Sequence, residues 1–245
     1  MTWLGQRIER RGRVSSTNDE AGLLARAGAP HGTVVVADEQ TAGRGRYGRV
    51  WHSPPDDGLY LSVVLRPGLS PERAPPITLA GGLGVADAVN NLGVTASLKW
   101  PNDVMAGGRK LAGVLTEMNT RGQELEHVIL GIGINANASD LPPEIASLAT
   151  SLRLELGREV DRDALLAELL PAVEGWLDAF FAGGVTAIAD AWSERAQLRG
   201  GRVRADAEDG SVTGEPVGLD DEGALVVEDD DGRRHRVVSG DVAVI

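Results

Sequence analysis

Gln40-Thr41-Ala42-Gly43-Arg44-Gly45-Arg46-Tyr47-Gly48-Arg49-Val50-Trp51 is the stretch on which the reading of this chain turns. It alternates three glycines with three arginines and contains no acid. Gly43-Arg44-Gly45-Arg46-Tyr47-Gly48 satisfies G-x-G-x-x-G, which marks a doubly wound dinucleotide fold only where a strand precedes it and a helix opens on its last glycine. Thr33-Val34-Val35-Val36-Ala37 supplies the strand. Trp51-His52-Ser53-Pro54-Pro55-Asp56-Asp57-Gly58 follows, and its two prolines and glycine forbid the helix. A P-loop fails as well, because Arg49 and Val50 stand where lysine and Ser/Thr are needed. A second near-match, Gly131-Ile132-Gly133-Ile134-Asn135-Ala136, ends a β-branched run and enters another proline-containing loop. With the dinucleotide fold excluded, the arginine stretch reads as a glycine-permitted loop closing over a small anion, with forked guanidinium donors matched to carboxylate or phosphate. The plain alternative is a solvated turn.

The rest of the chain sharpens that contrast. Its 245 residues carry a formal net charge of −12, which argues against general nucleic-acid or anionic-membrane binding and leaves local basic spots for small anions. With no cysteine, disulfides, thiolate metal sites and thiol nucleophiles are excluded. Met1-Thr2-Trp3-Leu4-Gly5-Gln6-Arg7 lacks a signal-peptide apolar run, and nothing approaches transmembrane length. A soluble, cytoplasmic protein is expected. His31, His52, His127 and His235 lie far apart without metal-ligand spacing and read as ordinary histidines.

Outward from the loop, residues 7–14 and 33–37 read as strands around a short helix beginning near Ser16-Thr17-Asn18, with Ser16 or Thr17 as its cap. Leu59–Leu65 is a strand, and a helix is expected over 76–91. The run 95–100 and Leu111–Glu117, separated by Pro101-Asn102-Asp103 and a Gly107-Gly108 turn, read as a hairpin. Val128–Ile134 is a continuously apolar, central strand. Leu165, Leu169, Val173, Trp176 and Phe180 recur at helical spacing across 161–182, with Pro171 a kink, and a second helix covers 185–195. After Arg199-Gly200-Gly201, short runs (202–205, 212–219, 224–228, 234–238, 242–245) alternate with Asp/Gly turns, as in a small antiparallel barrel. The expected division is a catalytic unit over 1–196 and a C-terminal barrel over 197–245.

Four segments combine polar residues with glycine or proline. Ser16-Thr17-Asn18 offers short donors and acceptors, although helix capping alone would account for it. Gln40 immediately precedes the arginine loop. Lys99-Trp100-Pro101-Asn102-Asp103 sets a lysine, an amide and a carboxylate at a strand end. Arg109-Lys110-Leu111-Ala112-Gly113 carries Lys110 into an apolar strand, where it is either drawn inward or solvated. Together these cations and amides suit a ligand that is both carboxylate and polyphosphate, as acyl-adenylate formation requires: two anions must meet, and preorganised cations offset their repulsion. A closing loop then shields the reactive anhydride from water.

Gly43–Trp51, Lys99-Trp100-Pro101-Asn102-Asp103, Lys110-Leu111-Ala112-Gly113 and Gly131-Ile132-Gly133-Ile134-Asn135 resemble, in order, the motif series of the biotin protein ligases. The resemblance implies an α/β (α+β) fold, a mixed β-sheet flanked by helices as in class II synthetases, followed by a small SH3-like β-barrel. It implies an enzyme that converts biotin and MgATP to biotinyl-5′-AMP and transfers biotin to a lysine of a biotin carboxyl carrier domain. By motif, Ser16, Thr17, Asn18 and Gln40 would hold the ureido ring, while Arg44, Gly45 and Arg46 would surround the carboxylate and phosphoryl group. Lys110 would contact the carboxylate and stabilise both transition states; Gly113 would offer backbone groups. Arg49 and Trp51 would lie on the adenylate side, Asn135 would contact adenine, and Asn102 and Asp103 would position phosphate, magnesium or the incoming amine. Arg46, Asp103 and Lys110 are thus the candidate catalytic residues. Tyr47 occupies a position that is often arginine in the family. Only about 15 residues precede Ser16, so a ligase without operator binding is expected, a monomer or weak homodimer. A lipoate or octanoate ligase would share the chemistry but not need the Ser-Thr-Asn and Gln40 set; a non-catalytic biotin sensor is the other alternative.

Overall fold

In the computed structural model, which describes residues 2–196, 201–207 and 210–245, the larger unit contains β1 (Ile8–Val14), β2 (Val34–Gln40), β3 (Gly58–Leu65), β4 (Ala96–Lys99), β5 (Asp103–Ala106), β6 (Arg109–Arg121) and β7 (Glu124–Asn135). These form one mixed sheet in the order β1-β2-β3-β7-β6-β5-β4. Only β1 and β2 pair in parallel, since α1 (Thr17–Arg26) crosses between them; the remaining neighbours are antiparallel. β3 is buried along its whole length and β7 over most of its apolar half, which is why both lie inside the sheet.

The two faces of the sheet differ. α2 (Ile77–Asn91), α4 (Arg162–Gly183) and α5 (Thr186–Arg195) belong to the main core on one face. α2 crosses α4 so closely that a Cβ on Gly84 would lie 2.5 Å from the Val173 Cα. α4 starts on an Asp161 cap, which accepts from the Asp163 and Ala164 amides, and continues through Pro171. On the other face α1 packs Ala21 and Ala25 against Val35, Val64 and Ile129. It covers only part of that face, and the remainder forms the floor of a cavity.

The structure departs from the sequence-based expectations at three places in this unit. Residues 95–100 and 111–117 are not direct partners: β5 runs between them, making a three-stranded meander. Its four residues follow a prolyl turn too closely for a separate strand to stand out. β6 and β7 extend to a tight turn at 122–123, beyond their apolar stretches, because this end of the hairpin is solvated. A short helix, α3 (Leu152–Leu156), capped by Ser151 and ended by a left-handed Gly157, has no counterpart among those expectations.

C-terminally, β8 (Val203–Ala207), β9 (Gly210–Leu219), β10 (Leu225–Glu228), β11 (Arg234–Val237) and β12 (Asp241–Val244) form an antiparallel sheet ordered β11-β10-β9-β8-β12. The expected strands of the barrel are present; among the described residues β11 and β12 remain its edges. The expected boundary between 196 and 197, with Arg199-Gly200 at the change of texture, lies outside the described residues. The sheet rests against the larger unit, where the Trp100 Nε1–H donates to the Gly223 carbonyl at 3.2 Å.

Candidate active site

A cavity of about 680 Å³ opens on the half-covered face of the seven-stranded sheet. Its lining draws on the start of α1, the end of β2, the arginine loop, the β4–β5 turn, β6, β7, the segment around Pro142–Ala149, and β12. Four sequence-distant segments converge here because strand register brings them into rows. Lys99 pairs with Asp103, Asp103 with Gly113, and Gly113 with Gly133; the next row joins Leu115, Gly131 and Ser62.

The glycines in these rows make room for side chains lying flat on the sheet. A Cβ on Gly131 would come within 2.3 Å of Asn18 Oδ1, and one on Gly133 within 2.5 Å of Trp51 Nε1. A Cβ on Gly113 would press on both Trp51 and Lys110, at 3.2 and 3.3 Å. Lys110 and Gly113 differ by an odd number and would ordinarily face opposite ways. A bulge removes that conflict: Met105 pairs with Lys110 but Val104 with Ala112, so Leu111 is the extra residue. Lys110 therefore shares the face of Asp103, with Nζ 2.6 Å from Asp103 Oδ1 and 5.3 Å from the centre of the Trp51 ring. The lysine is drawn inward, with about a third of its side chain exposed.

One end of the cavity is neutral and heavily hydrogen-bonded. Ser16 Oγ accepts from the Asn18 amide at 3.2 Å and caps α1. Gln40 Oε1 accepts from the Thr17 amide at 2.8 Å, while Gln40 Nε2 donates to Ser53 Oγ at 2.9 Å. Thr17 and Asn18 are buried. The far end holds Asn135, whose Nδ2 donates to the Thr150 carbonyl at 2.9 Å, close to Pro142, Ile145 and Leu148. Asn102 is tied to β6, donating from Nδ2 to the Val114 carbonyl at 3.0 Å. The indole N–H of Trp51 is buried without a partner among the described residues, a donor available to a ligand.

The arginine loop is folded back on itself, with Gly45 N donating to the Arg49 carbonyl and Arg44 bridged to Val50. Its three arginines have different surroundings. Arg44 is held by two carboxylates: bidentately by Asp19 at 2.6 and 3.0 Å, and by Glu117 at 3.4 Å. Asp19 is thereby held below the usual carboxylate range and Arg44 is raised. Arg49 forms an ion pair with Asp241 of β12, and hydrogen bonding to Arg49 lowers the Asp241 pKa. Arg46 donates to the Gly240 carbonyl at 3.2 Å and lies over the Tyr47 ring. Tyr47, at φ 56°, occupies the left-handed turn position of the loop. Arg46 and Lys99 are the lining cations that form no ion pair among the described residues.

All the sequence-derived candidates thus line this cavity: Ser16, Thr17, Asn18, Gln40, Arg44, Gly45, Arg46, Arg49, Trp51, Asn102, Asp103, Lys110, Gly113 and Asn135. Sequence reasoning missed Asp19, Ser62, Glu117 and Asp241. Asp19 was masked by the ordinary preference for acids in a first helical turn, and Glu117 by its place at the end of an apolar strand. Asp241 was one acid among many in the C-terminal region. Among the described residues, no group of three His, Cys, Asp or Glu side chains is placed to hold a metal ion.

A cavity with a neutral, hydrogen-bonding end and an arginine loop across it, on the open face of a mixed sheet, has the make-up expected of an acid-activating ligase. Residues 12–135 match the Biotin/lipoate A/B protein ligase family, and residues 200–244 match the Biotin protein ligase C terminal domain. The chain is 37% identical over 242 residues to the Bifunctional ligase/repressor BirA of Bacillus spizizenii, covering 98% of this chain and 74% of that protein. It is 38% identical over 239 residues to the biotin–(acetyl-CoA-carboxylase) ligase of Mycobacterium tuberculosis, covering 94% and 85%. The structure of the biotin protein ligase from Aquifex aeolicus in complex with biotin and ATP superposes with a TM-score of 0.85 at 32% identity, covering 98% and 99% of the two chains. The chain belongs to the biotin protein ligase family, and ATP-dependent biotin ligation is the activity that this membership carries.

Proposed function

We propose that this chain joins biotin to a carrier-protein lysine in two steps. A carboxylate oxygen of biotin attacks the α-phosphorus of MgATP, giving biotinyl-5′-AMP and releasing pyrophosphate. The lysine amine then attacks the acyl carbon, forming an amide as AMP leaves and a proton is lost. The carrying observation is one cavity with a neutral, hydrogen-bonding end at Thr17, Asn18 and Gln40 and a cationic middle at Arg46, Lys99 and Lys110. A urea-bearing ring suits the first, and two anions brought together suit the second.

In this reading Ser16, Thr17, Asn18 and Gln40 hold the ureido ring. Lys110, Arg46 and Gly45 attend the carboxylate and α-phosphoryl group, and Gly113 offers backbone groups beside them. Arg44, neutralised by two carboxylates, anchors the loop more than it attracts charge. Arg49 and Trp51 flank the nucleotide, Asn102 and Asp103 position phosphate or amine, and Asn135 meets adenine. Asp103 keeps Lys110 aimed in the resting site and is free to receive the amine's proton once Lys110 turns to phosphate. The acceptor is a biotin carboxyl carrier domain, with residues 1–196 as the catalytic unit and 197–245 as the C-terminal unit. A cytoplasmic location accords with ATP as substrate. The β1 edge carries Arg10, Arg11 and Arg13, charges that discourage edge pairing, so a monomer or weak homodimer is the expected state. No helix among the described residues is long and apolar enough to cross a membrane.

The test is transfer of labelled biotin to a purified carrier domain with and without MgATP, with lipoate and octanoate and their own carrier beside it. ATP-dependent label from biotin alone is expected. Transfer of lipoate or octanoate only would overturn the substrate, and tight biotin binding without transfer would reduce the protein to a sensor.

A further inference from the structure

Four oxygen atoms form a line leading out of the buried sheet surface into the cavity: Asn18 Oδ1, Ser62 Oγ, Thr17 Oγ1 and Gln40 Oε1. The successive gaps are 2.6, 2.7 and 3.1 Å. Thr17, Asn18 and Gln40 line the cavity; Ser62 is fully buried behind them. Ser62 and Thr17 each bring a single hydroxyl proton, so two protons serve three gaps. Hydrogen positions follow from the network as a whole, and here the distances decide. Two oxygens at 2.6 or 2.7 Å without a proton between them would repel, whereas 3.1 Å tolerates it. As placed, Ser62 Oγ points as donor at both Asn18 Oδ1 and Thr17 Oγ1, and Thr17 Oγ1 points at Gln40 Oε1. Ser62 has one proton, so with that proton on Asn18 the short contact to Thr17 is filled only by the Thr17 hydroxyl turning from Gln40 to Ser62. The lone pairs of Thr17 Oγ1 and Gln40 Oε1 then face the cavity together, an acceptor pair for an incoming N–H.

This polarity holds only while Asn18 presents its oxygen, not its nitrogen, to Ser62. Glu117 imposes that choice. Its Oε2 accepts from Asn18 Nδ2 at 2.9 Å, and its Oε1 faces Arg44 at 3.4 Å. An ionised carboxylate accepts at both oxygens, so Asn18 must turn its nitrogen toward Glu117. Arg44, locked by Asp19, keeps a positive charge beside this carboxylate.

We propose that Glu117, which does not line the cavity, is a specificity-determining positioning residue: it fixes the Asn18–Ser62–Thr17–Gln40 chain with its acceptor end toward the ligand, where a ureido N–H binds. The proposal deepens the biotin ligase reading and rests on it. Replacing Glu117 by glutamine keeps the shape and reverses the logic. Arg44 holds the glutamine oxygen, so its nitrogen faces Asn18 and the Asn18 amide flips. Asn18 then donates to Ser62, Ser62 to Thr17 and Thr17 to Gln40. All three gaps are filled, and the chain no longer needs a donor from the ligand.

The experiment measures biotin affinity by calorimetry and steady-state KM values for biotin and ATP in wild type, Glu117→Gln and the double variant Asn18→Asp with Glu117→Gln. Glu117→Gln is expected to weaken biotin about 10- to 100-fold, the cost of leaving a ligand donor mismatched. KM for ATP and the melting temperature stay near wild type. In the double variant the carboxylate placed at position 18 accepts from both the new glutamine and Ser62, so the polarity returns and most of the biotin affinity with it. Unchanged biotin affinity in Glu117→Gln, a parallel loss of ATP affinity and thermal stability, or no recovery in the double variant would each overturn the proposal. A wild-type protein that does not bind biotin would overturn the ligase reading itself, and this inference with it.

Discussion

Lys110 Nζ lies 2.6 Å from Asp103 Oδ1 because one extra residue in β6 turns the lysine onto the carboxylate's side of the sheet. An ammonium fixed in this way is preorganised for charge that develops at a nearby phosphorus, and it needs little reorganisation when that charge appears. Lys110→Ala is expected to slow adenylation by about 10²–10³-fold, the usual cost of removing such a donor, while biotin affinity falls less than about tenfold. Single-turnover pyrophosphate release against calorimetric biotin binding checks this. Equal losses in both would mean that Lys110 only anchors the ligand.

Arg49 and Asp241 tie the arginine loop to the C-terminal sheet through side chains that are 62% and 52% exposed. Such a pair adds little stability, under about 1 kcal/mol. Its value lies in where it holds the loop. Arg49→Ala and Asp241→Ala should each raise KM for ATP several-fold with melting temperature almost unchanged. The double variant should be no worse than the poorer single one. Additive losses would show that the two residues act separately.

The sequence was informative where a residue type has few uses. Arginine alternating with glycine, and lysine beside a glycine turn, marked the loop and Lys110. Apolar patterning marked β3 and α4 to within a residue, and the apolar half of β7 but not its start at Glu124. Relationships set by pairing were hidden. Nothing local distinguishes Glu117 from any acid ending an apolar run, because its role depends on α1 placing Asn18 over Gly131. The bulge at Leu111 was equally invisible, as it shows only when β5 is laid beside β6. β5 itself is four residues long, too short for alternation to register.

Gly131 and Gly133 test the floor of the cavity. A methyl group on Gly131 would meet Asn18 Oδ1 at 2.3 Å, and one on Gly133 would meet the Trp51 indole at 2.5 Å. Gly131→Ala should therefore weaken biotin binding by about tenfold or more, as for a lost buried hydrogen bond. Gly133→Ala should act mainly through Trp51 and hence on the adenylation rate. The two KM-against-kcat patterns should differ; identical patterns would mean a general distortion of β7.

Acid sensitivity should come partly from the half-buried His31 and the buried His127. His31 accepts a hydrogen bond from the Arg66 amide at Nδ1 and packs against the Trp3 ring at a tilt of 39°. Burial lowers its pKa, and Arg66 adds to this against the opposing pull of Asp178. His127 is also lowered by burial, assisted by Arg66 and Arg26 and opposed by Glu126. Each binds fewer protons folded than unfolded, so stability is retained above the ordinary value of 6.5 and is lost as pH falls below it. Urea midpoints should drop between about pH 7.5 and 5.5, and the drop should shrink in His31→Gln. A pH response unaltered by that change would assign the effect elsewhere.

Two glycines in α2 should respond with opposite signs to the same substitution. Alanine in a helix interior gains roughly 0.5–1 kcal/mol over glycine by restricting the unfolded chain. At Gly82 the new methyl would sit 3.6 Å from Leu98 Cδ2, an ordinary contact, so Gly82→Ala should realise that gain. At Gly84 it would meet the backbone of Val173 at 2.5 Å from Cα and 2.8 Å from N, atoms that move only if α2 and α4 part. Overpacking of that kind costs about 1–3 kcal/mol and outweighs the propensity gain. Gly84→Ala should lower the urea midpoint while Gly82→Ala raises it. Because α2 lies on the face away from the cavity, KM for biotin should stay unchanged in whatever fraction remains folded. A stabilised Gly84→Ala protein would show that the α2–α4 crossing is looser than 2.5 Å implies.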